Sequence, residues 1–370
     1  MGPTEDPILM PANPHIHAIR PYQPGKPIAE VEREYGLHAV SKLASNENAL
    51  GPSPMALLAA QKALAQGALY PDSSAFSLVR CLSERHALSP GHFVVGTGSD
   101  HIFMLLALVL LNPATNAVIS EYTFQTYAIA VHSVGAELRV ARSGPHLGHS
   151  VDHLLAAVDS GTRLVFVDNP NNPIGSYLDR CEIERLLEHL PPETTLVLDE
   201  AYFEFADLPD YVSGLAYLDR YPNLVVTRTF SKAYGLAGFR VGYGMTRPDL
   251  ADLLKRVRLP FPVSHVALAA AEAALSDEAH LARSRALVSA ERPVLAQGLA
   301  RILPEVFTGA GNFITAKTPI PAQDLFQKLL EHGIIVRPLG SMGLPEHVRI
   351  TIGLPDENRA LLKALSDILV

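Results

Sequence analysis

The sequence predicts an α/β protein: a large domain on a mostly parallel seven-stranded sheet, a smaller α+β unit after it, and an N-terminal arm before it. Three observations lead there. From about residue 92, short β-branched runs alternate with longer amphipathic ones, and such alternation builds a parallel sheet covered on both faces. After about residue 275 the order changes to long helix, short strand, helix and strand. Ahead of residue 40, proline and aromatic residues dominate without a clean period.

The elements follow in order. His15 to Pro27 reads as an extended arm lying on something else, and a helix from Pro27 to Tyr35 sets Ile28, Val31 and Tyr35 on one side. The seven strands are expected at His92–Gly96, Ala117–Ser120, Glu137–Val140, Leu164–Asp168, Leu196–Asp199, Leu224–Thr227 and Arg240–Tyr243. Helices are expected between them at Asp100–Leu111, Phe124–Val134, Asp179–Leu190 and Pro248–Val257. In the C-terminal part, Ser276–Gly298 reads as one long charged helix and Asn312–Thr315 as a strand. Ala322–His332 is a helix with Leu325, Phe326, Leu329 and Leu330 on one face and Gly333 placed to cap it. Strands at Ile334–Arg337 and His347–Ile352 precede a last helix that buries Leu361, Leu362, Leu365 and Ile368. The expected division is arm 1–40, large domain 41–275 and small domain 276–370.

The 370 residues carry 30 Lys+Arg against 38 Asp+Glu, a net charge of −8. A phosphate-backbone binder needs a basic stripe, so no nucleic-acid partner is expected. Cys81 and Cys181 cannot form a disulfide framework and fit a reducing compartment. Met1 to Met10 lack the basic start of a secretory leader. The longest apolar run, Ile102 to Leu111, is about half a membrane span. A soluble, cytoplasmic protein with no membrane partner is expected.

In open α/β sheets ligands sit beyond the carboxyl ends of the strands, and four such ends carry polar residues. Val94–Asp100 is a glycine turn entering an apolar helix, whose free N–H groups suit an anion. Taken alone it reads equally as a tight turn with Ser99 or Asp100 as cap. The third glycine of a dinucleotide fingerprint is missing, since His101 stands there. Asp168–Gly175 holds two Asn-Pro pairs, an ordinary turn if taken alone, or a set of fixed amide donors with a possible cis bond before Pro173. Asp199 ends an apolar strand, where an unpaired carboxylate is costly and calls for a cation, a metal or a ring nitrogen. No His or Cys lies at ligand spacing, so no metal is expected.

Lys232, one of eight lysines, follows a strand and precedes a glycine-punctuated turn, flanked by Ser231 and Arg240. Most lysines are solvated surface charges; a desolvated one is a carbonyl nucleophile. Together the four ends supply a phosphate cradle, an amide donor, a buried carboxylate and an imine-forming lysine, the set that pyridoxal phosphate chemistry requires.

On these residues the sequence resembles the fold-type I, class II aminotransferases that use pyridoxal phosphate, and among them the histidinol-phosphate aminotransferase family. The resemblance runs from Pro21–Pro27 almost to the C-terminus. It includes Lys42–Pro54, Tyr70–Asp72, Asn169–Gly175, Asp199–Tyr202 and Ser231–Lys232 with its spacing to Arg240. It implies that Lys232 condenses with the cofactor aldehyde and later carries the proton, and that Asp199 keeps the ring nitrogen protonated. Tyr202 and Asn172 would bond the phenolic oxygen and Phe124 would stack on the ring. Ser99, Asp100, Ser231 and Arg240 would hold the phosphate, with Tyr70 reaching it from the second subunit of a homodimer. Tyr22, Asn48, Arg337 and Arg349 are implied in binding small anionic substrates. In His347–Ile352 the strand period sets Arg349 opposite Val348, Ile350 and Ile352. Departures from the family pattern are Ala49, Thr97, His101, Tyr122 and Ile174.

The implied activity is amino-group exchange between L-histidinol phosphate and 2-oxoglutarate, giving imidazole acetol phosphate and glutamate in histidine biosynthesis. Two rivals share the scaffold: an aromatic amino-acid aminotransferase, and a decarboxylase of a phosphorylated amino acid. A non-catalytic binding protein and a nicotinamide enzyme are further readings, disfavoured by the missing third glycine.

Overall fold

The structure is a computed structural model that describes residues 13–369, apart from Gln23 and His38. Met1 to Met10 lie outside the described residues. Among the described residues thirteen strands form three sheets. β1 (Ser41–Lys42) pairs in parallel with β11 (Ile334–Ile335). The large sheet holds β2 (Phe93–Gly96), β3 (Asn116–Ser120), β4 (Glu137–Ala141), β5 (Thr162–Asp168), β6 (Thr195–Asp199), β7 (Leu224–Thr229) and β8 (Gly242–Met245), in the order β2-β8-β7-β6-β5-β3-β4. β9 (Glu305–Thr308), β10 (Phe313–Lys317), β12 (Arg337–Leu339) and β13 (Leu344–Thr351) form an antiparallel sheet, ordered β12-β13-β10-β9.

Only β8 runs against its neighbours in the large sheet. The central strands are apolar on both faces because helices cover both: Leu196, Val197 and Leu198 are all buried. One face packs against the helices Ser99–Leu110, Thr126–Ser133 and Pro248–Val257, with Phe103, Tyr127 and Phe166 in contact. On the other face Val165, Leu198 and Val226 pack in one core with Ile183 of the helix Arg180–His189.

All seven expected strands lie in this sheet, each bound within two residues of the expected one. β7 runs on to Thr229, and β8 begins at Gly242 rather than Arg240. Arg240 takes φ 56°, a left-handed conformation that a strand cannot hold. The expected helix from Ser276 to Gly298 is present as Glu278–Leu299, and a separate helix that the sequence did not announce precedes it. His265–Ser276 ends, and Asp277 accepts a hydrogen bond from the His280 N–H to open Glu278–Leu299.

The arm touches both units. Pro14–Ala18 forms a short 3₁₀ turn against the helix Thr126–Ser133 of the large sheet, whereas Val31 packs with Leu330 and Ile335. β1 is stitched to the C-terminal unit, and Leu43 extends the ladder by bonding Ile335 and Thr351. The segment following residue 40, expected in the large domain, therefore bridges the two units.

Candidate active site

A cavity of about 470 Å³ opens at the carboxyl ends of β5, β6 and β7. Parallel pairing aligns Asp168 with Asp199 and Asp199 with Thr227, so the strand register alone gathers three polar ends at the pocket floor.

Asp199 is buried, and its Oδ2 accepts from Tyr127 Oη at 2.8 Å and its Oδ1 from Thr227 Oγ1 at 3.0 Å. No lysine, arginine or histidine forms an ion pair with it among the described residues. Burial pushes its carboxyl up to about 7, with Asp168 adding to the rise and the two hydroxyls opposing it. Lys232 lies across the pocket and donates from Nζ to the Ser45 carbonyl at 3.0 Å. Burial lowers its amine to about 8, helped by the Arg349 charge. Nζ is 5.8 Å from the Tyr202 ring centre. Tyr202 Oη accepts from Asn46 Nδ2 at 2.9 Å, and burial raises its hydroxyl to about 12.

The glycine turn is built by close packing. Gly98 has φ 88°, and a Cβ there would sit 2.6 Å from Arg240 Nη2. A Cβ on Gly242 would meet the Ser99 nitrogen at 2.6 Å. Arg240 Nη1 donates to Ser231 Oγ at 3.2 Å, and its Nη2 lies 3.4 Å from Asp100 Oδ2. Ser99 opens the helix Ser99–Leu110, so its N–H belongs to the unpaired set at a helix start. Phe124 also lines the pocket, edge-on to Tyr127.

Asn172 enters from the Asn-Pro loop. Its side-chain Oδ1 accepts from Arg349 Nη1, and its backbone N–H donates to Asp168 Oδ2 at 2.6 Å. The cis bond of this loop precedes Pro170, not Pro173. Arg349 is buried, donates from Nη2 to the Ala44 carbonyl at 2.8 Å, and keeps Nε without a partner. Arg337 is aligned with Arg349 on the neighbouring strand and stands over the Tyr22 ring at 5.6 Å. It lines an adjoining cavity of about 530 Å³ with Lys26 and Pro338 rather than the main pocket. Neither arginine has a carboxylate partner among the described residues.

Two further expected residues lie outside the pocket. Asn48 is a correction: its Nδ2 donates to the Ala233 carbonyl and to Ser284 Oγ, both at 2.8 Å, and its Oδ1 caps the Leu50 N–H. With its amide fully used in joining chain segments, it does not line the pocket. Tyr70 is 79% exposed and stacks on Phe261 at 4.6 Å, outside this cavity. Sequence reasoning missed Tyr127, Thr227, Ser45 and Asn46 as neighbours of the reactive pair. Thr227 was findable, since it stands on the adjacent strand at the level of Asp199. Tyr127, on an apolar helix, gave no signal. Among the described residues no three His, Cys, Asp or Glu gather as metal ligands.

Residues 39–365 match the model for aminotransferase class I and II. The chain is 48% identical over 360 residues to histidinol-phosphate aminotransferase 1 of Thiobacillus denitrificans, covering 97% of this chain and 93% of that one. It is 46% identical to histidinol-phosphate aminotransferase of Anaeromyxobacter sp., covering 96% and 98%. The crystal structure of histidinol-phosphate aminotransferase from Sinorhizobium meliloti, in complex with pyridoxal-5'-phosphate, superposes with a TM-score of 0.89 at 29% identity, covering 97% of each chain. The chain belongs to the class I and II aminotransferases, and its fold is the fold-type I architecture.

Proposed function

We propose that this aminotransferase acts on histidinol phosphate, exchanging its amino group with 2-oxoglutarate and using pyridoxal phosphate as cofactor. One observation carries the reading: the pocket holds a buried acid without a cation and the buried Arg349 without a carboxylate, with Arg337 beside Arg349 on the adjoining cavity. Buried unpaired charges are costly, so one end calls for a cationic ring nitrogen and the other for a phosphate or carboxylate. The relatives at 46–48% identity, named for histidinol phosphate, supply the donor.

The residues fit the cofactor. The Gly98 and Gly242 backbones leave no room for a Cβ, which keeps the Ser99 and Asp100 N–H groups, Ser231 and Arg240 converging on one anion-sized spot. When bound, the cofactor supplies an aldehyde that takes up an amino group and a ring that accepts the electron pair released at the neighbouring carbon. Lys232, with an amine near 8, is partly neutral at the working pH and serves as nucleophile, then as carrier of the proton from the donor carbon. Asp199 holds a proton on the ring nitrogen. Phe124 packs on the ring, while Tyr202 and the Asn172 side-chain amide donate to the phenolic oxygen. Tyr22, Arg337 and Arg349 take the anionic end of either substrate.

The site is completed across a homodimer. Leu69, Tyr70, Phe76, Leu259 and Phe261 are exposed, and the two segments are tied together by the Tyr70–Phe261 stack and by Arg258 donating to the Ser73 carbonyl. Such a patch suits a second copy, and Tyr70 reaches the partner's phosphate cradle from it. The domain division, with residues 1–40 as arm and the hinge near 275, belongs to the same reading. Among the described residues no helix is long and apolar enough to cross a membrane, and a cytoplasmic location goes with the activity.

The test is a donor screen on the loaded enzyme without acceptor. L-Histidinol phosphate should convert the cofactor's visible spectrum to that of its amine form at least ten-fold faster than phenylalanine does. Faster conversion by phenylalanine makes the protein an aromatic aminotransferase, and carbon dioxide release without spectral conversion makes it a decarboxylase.

A further inference from the structure

A second carboxylate, Asp168, stands beside Asp199 and is used by none of the steps above. It ends β5 at the position aligned with Asp199 on β6, only 2% exposed, and it faces the same pocket. No lysine or arginine pairs with it among the described residues. Its oxygens are instead ringed by donors. Thr123 Oγ1 donates to Oδ1, the Asn172 N–H to Oδ2 at 2.6 Å, and Asn171 Nδ2 lies 3.3 Å from both. His149 Nε2 is 3.3 Å from Oδ1 and 2.9 Å from the Asp168 carbonyl, and its Nδ1 meets Ser120 Oγ at 2.6 Å.

A loop anchor alone needs only an acceptor, and an amide or hydroxyl supplies one without a charge. Two buried carboxylates at neighbouring strand ends repel, and the charge of Asp168 adds to the rise of the Asp199 carboxyl. Asp168 is held by these donors at the Asp199 side of the pocket. The groups facing this pair are Tyr127 from its helix, Tyr202 after β6, Thr227 on β7, Asp100 at the start of its helix, and His149.

We propose that Asp168 is a positioning residue for the aminotransferase reaction. Its carboxylate places a second negative charge beside Asp199, and through the Asn172 N–H it fixes the loop that presents Asn172 and engages Arg349. The inference rests on the reading that Asp199 faces a cationic ring nitrogen: a pair of carboxylates holds that cation more firmly than one.

The experiment is Asp168→Asn, read in two ways. In the cofactor-free protein, the melting-temperature difference between chains with Asp199 and with Asp199→Asn, followed from pH 5 to 8, reports the Asp199 titration. Asp168→Asn should move its midpoint down by about one pH unit. In the loaded protein, the Kd for pyridoxal phosphate should rise about ten-fold, with the melting temperature of the cofactor-free variant at pH 8 no lower than wild type. An unmoved midpoint overturns the proposal, as does a moved midpoint with an unchanged Kd. A lowered melting temperature with an unmoved midpoint makes Asp168 an ordinary loop anchor. Should the asparagine variant fail to fold, Asp168→Ser keeps a small acceptor without charge and is read by the same criteria. The first reading needs no cofactor, so it stands apart from the outcome of the donor screen.

Discussion

Asp199 and Lys232 show at single-residue scale how this pocket holds charge ready for a ligand. Asp199 has its carboxyl raised from 3.8 to about 7, first by burial. A group raised in the folded state adds stability below its ordinary value and loses that contribution as pH climbs through about 7. Lys232 is lowered from 10.5 to about 8, so its contribution is present above 10.5 and lost as pH falls through about 8. Near neutrality both groups are at least partly charged, and both penalties fall on the empty pocket. A bound group that pairs with the acid and condenses with the amine relieves them together. Asp199→Asn should therefore give a cofactor-free protein that melts no lower than wild type at pH 8. Its turnover should fall at least about 100-fold, as for other preorganised electrostatic groups. Retained turnover, or a clear loss of melting temperature, contradicts the assignment.

At the scale of elements, much of the site was legible in the chain. The apolar β6 run announces a parallel strand, and the charged residue at its end marks the ligand side of the sheet. The same logic located Lys232 and the turn at Gly98. What escaped were features set by packing rather than by period. The helix His265–Ser276 is alanine-rich, so hydrophobic contrast between its faces is weak, and its period gives no clear sign of a helix. The helices Pro54–Leu64 and Phe76–His86 had no strand beside them to set off their boundaries. Asn48 sits in the same motif as Ser45 and Asn46, yet points away from the pocket to Ala233 and Ser284. Which asparagine of that motif faces the site depends on backbone direction, seen in the φ of 55° at Asn46, and no residue pattern encodes it.

At the scale of the whole molecule, the arm, the large sheet and the C-terminal sheet meet around one pocket. Tyr22 comes from the first, Asp199 and Lys232 from the second, Arg349 from the third. Tyr70 lies outside its own chain's pocket, and a shared site makes a clear prediction. Lys232→Ala and Tyr70→Phe chains, each impaired as a homodimer, should regain activity when unfolded and refolded together. In a mixed dimer one site has both defects and the other has neither, so random pairing restores up to about one quarter of wild-type activity. No recovery above the sum of the two parents places Tyr70 outside the site.

The central claim is a covalent bond between the cofactor and one amine, and chemical trapping tests it most directly. Borohydride reduction of the loaded enzyme, followed by peptide mass mapping, should find the pyridoxyl group on Lys232 and bleach the visible band in step. A protein that stays colourless when given pyridoxal phosphate, or a tag on any other side chain, contradicts the account.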